Sequence, residues 1–271
     1  VISDAAFSAS HAAGRPRALV TGGSSGIGLA FARQLAARGY ALVLVARGAQ
    51  RLGVVAEKFR ARGVECETMC CDLGVGNDVA RLCDYLRDNA VDVVVNNAGA
   101  GLYESLVDGD MDRIDAAAAL MAGAPVRIGA AATAAMAARG KGTLINIASV
   151  QSFVPMGAYA ALKSFVRVWS ESLAVELHGS GVTVTAVLPG WVRSDFHRNS
   201  GGKRSGVPDV LWLEPDTVAR AALAAAARGK VRCTPTVRYK IIGFLAEKGP
   251  RCAVNWVARK INGSGRKADR G

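Results

Sequence analysis

The chain has 271 residues, 51% of them apolar and only 6% aromatic, with 31 glycines and a formal net charge of +12. That length holds one large α/β domain or two small ones, and the composition fits Ala-rich helices on strands better than an all-β sandwich. Six cysteines without a CxxC pair predict a reduced, cytoplasmic compartment rather than a disulfide framework. His11, His178 and His197 lie too far from one another and from the cysteines to predict a metal site.

The opening "VISDAAFSASHAAGRP" has neither a basic leader nor a long apolar stretch, and residues 1–15 read as a flexible arm. Strand and helix patterns then alternate: "RALVT", "AFARQLAARG", "ALVLVA", "GVVAEKFRARG", "VECETMCC", "DVARLCDYLRD", "VDVVVN". A long Ala-rich helix near 111–139 follows. Its run "AAAALMAGAPVRIGAAATAAMAA", interrupted by Pro125 and Arg127, is read as a buried helix short of membrane-spanning character. Next come "GTLINIA", a helix over about 158–178, "VTVTAVL", a loop, the helix "PDTVARAALAAAARG" and "VRCTP". The strands are read as nearly unbroken apolar runs, as burial on both faces of a parallel sheet requires. The prediction is a single doubly wound Rossmann-type α/β domain over residues 16–235, with seven parallel strands flanked by helices on both faces. Residues 236–271 form a basic C-terminal extension. From Arg228 onward twelve Lys and Arg face only Glu247 and Asp269, so the tail carries most of the net charge.

Chemistry enters directly after the first strand. "TGGSSGIG", residues 21–28, places Gly22, Gly26 and Gly28 where a strand turns into a helix. There the chain can approach a pyrophosphate, and the N–H groups of Ser25, Gly26 and Ile27 can face its charge. The second strand ends in Ala46 and Arg47 rather than in an acid. Arg47 suits a ribose 2′-phosphate, with Ser24 as a second ligand, so NADP(H) is expected over NAD(H). Later, "SVQSFVPMGAYAALKS" sets Tyr159 and Lys163 one helical turn apart, ten residues after Ser149.

With "TGGSSGIG", "NNAG" at 96–99, "YAALK" at 159–163 and "PGWVRSDF" at 189–196 in that order, the chain resembles a short-chain dehydrogenase/reductase over about residues 17–234, closest to bacterial reductases of unassigned substrate. The resemblance implies a cofactor site that includes Thr21, Asp72 and Leu73 after the third strand, Asn97, Ala98 and Gly99 after the fourth, and Pro189, Gly190, Val192 and Ser194 after the sixth. It also implies that Tyr159 is the acid/base at a carbonyl or alcohol oxygen. Charged Lys163 would lower the phenol's pKa and bind the nicotinamide ribose, and Ser149 would hold the substrate oxygen.

Two departures stand out. The interval from Ser149 to Tyr159 is shorter than in many relatives, and Ser152 is a poorer alternative to Ser149 because it is displaced from the strand end. Met121 falls where the family usually carries an Asn that holds a water, a role methionine cannot fill; Gly123 and Pro125 are expected to distort the helix nearby. Beyond the sixth strand, "WVRSDFHRNSGGKRSGVPDVLWL" reads as a substrate-covering loop over about 191–213. It is hinged at Gly201, Gly202 and Gly206 and walled by Trp191, Phe196, Leu211 and Trp212. Phe153 and Met156 either add to that wall or belong to the core.

The function expected is interconversion of a carbonyl and a secondary alcohol on a bulky apolar, lipid- or steroid-like substrate, by a homo-oligomer without nucleic-acid partners. Met121 motivates a second reading, a nucleotide-binding regulator. The basic tail motivates a third, an adaptor at an anionic membrane surface, against which stands plain packing of its two helical stretches on the domain or on a dimer partner.

Overall fold

The computed structural model describes residues 14–193 and 208–268, the last eight by backbone alone. Seven parallel strands form one sheet in the order β3-β2-β1-β4-β5-β6-β7: β1 (Arg17–Thr21), β2 (Ala41–Ala46), β3 (Cys66–Cys70), β4 (Val93–Asn96), β5 (Gly142–Ile147), β6 (Val182–Val187) and β7 (Arg232–Cys233). The connecting helices are α1 (Gly26–Ala36), α2 (Ala49–Arg60), α3 (Gly76–Asp88), α4 (Met111–Ala118), α5 (Ala124–Ala138), α6 (Gly157–Glu176) and α7 (Pro215–Ala226). Two more, α8 (Val237–Lys248) and α9 (Arg251–Ala268), follow the sheet and are divided at Gly249 and Pro250, as the sequence suggests.

Burial explains the layers. Phe31 and Leu35 of α1, Leu52 and Phe59 of α2 and Val218 and Leu223 of α7 cover one face of the sheet. Leu82 and Leu86 of α3, Ile128 and Met136 of α5 and, from α6, Trp169 and Leu173 cover the other. Val93–Val95, between β1 and β5, are buried throughout, as strands sandwiched by two helical layers must be. The expectation of unbroken apolar strands fails at β3. "CETMC" alternates because it is an edge, with only Cys66 buried and Glu67 and Thr68 left to solvent or to polar neighbours.

The long Ala-rich helix also needs correcting. Met111–Ala138 is a continuous 28-residue helical run that is long and apolar enough to cross a membrane by length and composition. Its buried residues Ala124, Ile128, Ala132 and Met136 lie in the core against α3 and the sheet. The run is not regular: Ala119–Gly123 form a π-helical turn between α4 and α5. Pro125 has no N–H for the usual i→i−4 bond, so the distortion falls where Gly123 and Pro125 predict it.

Strand order reverses between β1's two neighbours, β2 and β4. In open α/β sheets this is where ligands bind.

Candidate active site

The glycine-rich turn is built by its backbone. Gly22 sits at φ +66° and Gly26 at φ +51°, conformations that a side chain disfavours. A Cβ on Gly28 would come within 2.2 Å of the Gly22 carbonyl oxygen, so α1 can meet the turn only through a glycine. Thr21, buried at the end of β1, ties this turn to the next crossing. Its hydroxyl donates to the Val95 carbonyl and accepts from the backbone N–H groups of Asn97 and Ala98, each at 2.9 Å; the Asn97 amide donates back to the Thr21 carbonyl. The "TGG" and "NNAG" motifs are thus one hydrogen-bonded unit. The first helical hydrogen bond of α1 runs from Leu29 N–H to the Ser25 carbonyl, no side chain caps the helix and no acid lies in its first turn. Those free N–H groups and the missing acid suit a phosphate diester, so the residues fit a dinucleotide.

Two further predicted ligands stand at the same rim. Arg47, 68% exposed after β2, lies 3.9 Å from a carboxylate oxygen of Asp72, which follows β3 and accepts from the Gly74 N–H. Leu73 beside it is buried. Gly99 faces Met121: a Cβ there would touch the Met121 sulfur at 3.6 Å.

Across the switch point Ser149, Tyr159 and Lys163 come together. Ser149 ends the strand segment and caps a single 3₁₀ turn, Val150–Phe153, its oxygen accepting from the Gln151 N–H at 3.1 Å. That turn is how a ten-residue interval still carries the chain from β5 to α6. The Ser149 hydroxyl lies close enough to the Tyr159 phenol to favour its ionised form. Lys163 is buried, its Nζ donating to the Ile147 carbonyl at 2.8 Å and standing 5.8 Å from the centre of the Tyr159 ring.

The electrostatics differ from expectation. Burial pushes the Tyr159 phenol well above its ordinary 10, with Tyr103 adding to the rise and only the Ser149 hydroxyl opposing it. Burial also lowers Lys163 from 10.5 to about 8. The predicted lowering of the phenol by a neighbouring ammonium is not what the protein alone displays. Lys163 is spent on a backbone carbonyl, and desolvation penalises both charged forms. The half-exposed Tyr103, on the loop before α4, escaped sequence reading because nothing in its local pattern marks it.

Behind this group runs a second polar line. Asn96 donates from one amide nitrogen to the Pro125 carbonyl at 3.0 Å and to Asn146 Oδ1 at 2.9 Å, and Asn146 donates to Ser170 Oγ. β4, α5, β5 and α6 are so fixed in register beneath the site. Met121 is wholly buried in the π-helical turn and packs with Leu102, Ala117 and Ala158 beside Tyr159. Met121, which the sequence reading sets at the family's usual asparagine, thus packs beside Tyr159 with a thioether where that reading expects an amide.

The two stems of the segment read as a covering loop are anchored, while Ser194, Phe196, Gly201, Gly202 and Gly206 lie outside the described residues. Val192 bridges to Leu213, and Arg193 pairs with Asp209 at 2.9 Å. The Trp191 and Trp212 rings are 5.8 Å apart and tilted by 57°. Tyr239 of α8, a residue the sequence reading passed over, fills the space that a Cβ on Gly190 would take. Its hydroxyl accepts from the Trp191 N–H at 3.1 Å and donates to the Leu211 carbonyl at 2.6 Å. Pro189, buried, accepts from the Val150 N–H, tying the loop's first stem to the 3₁₀ turn. Of the two readings of Phe153, the structural one holds: it packs toward Ala148, Val166 and Leu188, with the Arg167 and Arg232 guanidiniums 4.7 and 5.8 Å from its ring centre.

The known proteins agree with this arrangement. The family model described as short chain dehydrogenase matches residues 16–205. An uncharacterised oxidoreductase of Staphylococcus epidermidis is 31% identical over 180 residues, 65% of this chain and 77% of that one. A short-chain dehydrogenase from Sphingobium yanoikuyae, solved in complex with NADPH, superposes with a TM-score of 0.78 at 34% identity, covering 84% of this chain and 92% of that one. The bulky-bulky ketone specific alcohol dehydrogenase from Comamonas testosteroni does so with a TM-score of 0.74 at 34% identity, covering 84% and 90%. A doubly wound sheet, a glycine-built turn joined to "NNAG" through Thr21, and a serine, tyrosine and lysine gathered across the switch point place this chain in the short-chain dehydrogenase/reductase family.

Proposed function

We propose that the chain is an NADP(H)-dependent reductase that interconverts a bulky apolar ketone and its secondary alcohol. The observation that carries this reading is the Ser149–Tyr159–Lys163 group, its serine and lysine buried and its tyrosine partly so, two strands over from the glycine turn. Thr21, Gly22, Ser24, Ser25, Gly26, Ile27 and Gly28 would hold the cofactor's phosphates, with Asp72 and Leu73 at the adenine. Asn97, Ala98 and Gly99 would line it beyond β4, and Pro189, Gly190, Val192 and Ser194 would border the nicotinamide. Arg47, exposed at the end of β2, would take the 2′-phosphate. An NADPH complex in a 34% identical neighbour supports that choice.

A bound nicotinamide supplies or accepts the hydride. The protein's own part is the proton. Tyr159, held neutral by burial, donates its phenol proton to the carbonyl oxygen as that oxygen gains charge, and the Ser149 hydroxyl hydrogen-bonds the same oxygen. Lys163, close to neutral pH in its titration, stands ready to return a proton to the tyrosinate and to bind ribose hydroxyls once its carbonyl contact is shared. The tilted pair Trp191 and Trp212, with Leu211, gives the loop stems an apolar lining, and a neighbour specific for bulky-bulky ketones supports a large substrate. Exposed Phe165, Val168 and Val175 on one side of α6 support the homo-oligomer.

The test is a panel of ketones with NADPH and NADH. Wild type should oxidise NADPH with bulky aryl or alicyclic ketones, and Tyr159→Phe should lose roughly 10²–10⁴-fold in kcat while still binding NADPH. An unchanged rate in the variant would remove Tyr159 from the chemistry, and a wild type that binds NADPH but turns over no ketone would favour the regulator reading that Met121 motivates.

A further inference from the structure

α8 and the start of α9 are attached to the domain by narrow stripes. On α8 only Tyr239 and Gly243 are buried, and on the described part of α9 only Val254 and Ala258. The expectation that these apolar stretches pack on the domain is met by those stripes alone. Val237, Ile241 and the neighbours Phe244 and Leu245, one helical turn apart along the opposite side of α8, are 55–69% exposed. On α9 Trp256 is 62% exposed and points away from the Val254–Ala258 stripe, with the Lys260 ammonium 5.2 Å from its ring centre.

The charge around these side chains has one sign. Lys240, Lys248, Arg251, Arg259 and Lys260 are exposed, and Glu247, the one acid between residues 237 and 260, is engaged by Arg232 at 3.0 Å. A second copy seated face to face on this surface would set one basic cluster against another, which costs free energy and argues against self-docking. Apolar side chains fringed by lysine and arginine, with a tryptophan among them, are what an anionic lipid surface accommodates. The rings and aliphatic chains enter the headgroup boundary while the ammonium and guanidinium groups meet the phosphates.

We propose that α8 and the first turns of α9 dock on an anionic bilayer surface. Because the inner side of α8 holds Trp191 and Leu211 through Tyr239, docking sets those two residues near the lipid. An apolar ketone could then enter from the membrane. That last consequence rests on the reading of the substrate above; the docking itself does not.

The experiment is co-sedimentation of the full chain with vesicles of phosphatidylcholine alone and of phosphatidylcholine with about a third phosphatidylglycerol, at low and high salt. Pelleting with the anionic vesicles at low salt, weakened by salt and absent with phosphatidylcholine alone, is expected. The double variant Phe244→Ser/Trp256→Ser should lose about tenfold in partition, since two rings leave the interface. NADPH oxidation with a soluble ketone should be unchanged in the variant, which separates loss of docking from loss of fold. Equal supernatant fractions with both vesicle types, or a double variant that partitions like wild type, would overturn the proposal. If the chain instead bound only an acidic protein partner and no pure-lipid vesicle, it would be overturned too.

Discussion

The two sides of the site are built differently. On the β1 side it is made of main chain: Gly22 and Gly26 in left-handed conformations, a Gly28 that nothing larger can replace, and helix-start N–H groups with no side-chain cap. On the β5–β6 side it is made of side chains from separate elements: Ser149 after β5, Tyr159 and Lys163 on α6, and Tyr239 from α8. A backbone site leaves its mark in a short run of sequence because each glycine answers a local steric demand. A side-chain site is joined only by the fold, and its members are spread over ninety residues. The difference teaches that a main-chain cradle and a side-chain cluster answer to separate constraints, so one can be kept while residues around the other vary.

That contrast can be broken by experiment, beginning with the Tyr159→Phe variant, whose loss of turnover with retained NADPH binding is the largest effect expected. Next is Arg47→Glu. Removing a charge-assisted contact and setting a like charge near the 2′-phosphate should lower the NADPH-over-NADH ratio of kcat/KM about 10–100-fold, with little loss of stability. The exposed Arg47–Asp72 pair at 3.9 Å contributes almost nothing by itself. An unchanged ratio would mean that Arg47 serves only that pair.

A smaller effect belongs to Tyr239→Phe. The ring still fills the space beside Gly190, but the Trp191 N–H and Leu211 carbonyl lose their partner, at a cost of about 1–3 kcal/mol to the loop stems. Steady-state kinetics should show a KM for ketone raised about tenfold, with kcat and NADPH affinity nearly kept. A fall in kcat at constant KM would contradict a role in holding the loop.

The smallest is a pH effect on the cofactor-free protein. Lys163 titrates near 8 when folded and at 10.5 when unfolded, so between those values the unfolded chain carries a proton that the folded chain has released. Stability should therefore gain with rising pH across that window in wild type, measured against Lys163→Met by urea denaturation. Parallel pH profiles for the two proteins would show that the ammonium is not buried as described.

Much of this was legible in the sequence, and the exceptions have physical causes. The seven strands, the turn at 21–28 and the break at Gly249–Pro250 follow from apolar runs and from residues with restricted or permissive backbones. Ser149, Tyr159 and Lys163, grouped in the sequence reading by motif, do lie together in the fold, but their electrostatics differ from that reading. Whether Lys163 acts on Tyr159 depends on how deeply both are buried and on a carbonyl sixteen residues away, neither of which is written in the YAALK spacing. β3 was misread as fully buried because edge and centre are properties of the assembled sheet. Tyr239 was missed because a tyrosine in an amphipathic basic stretch looks like any other member of it, and its hydroxyl partners lie 28 and 48 residues back.

One contact in the fold has a practical consequence. Arg232 of β7 reaches Glu171 on α6 with one side of its guanidinium, at 2.6 Å, and Glu247 on α8 with the other, at 3.0 Å. The helix bearing Tyr159 and the helix bearing Tyr239 are thus braced through a single cation. A shortened version ending after the last strand would look like a complete Rossmann core, yet it would leave Arg232 with half its counter-charge and the loop stems without their grip. Anyone trimming this protein for crystals should keep everything through Lys248.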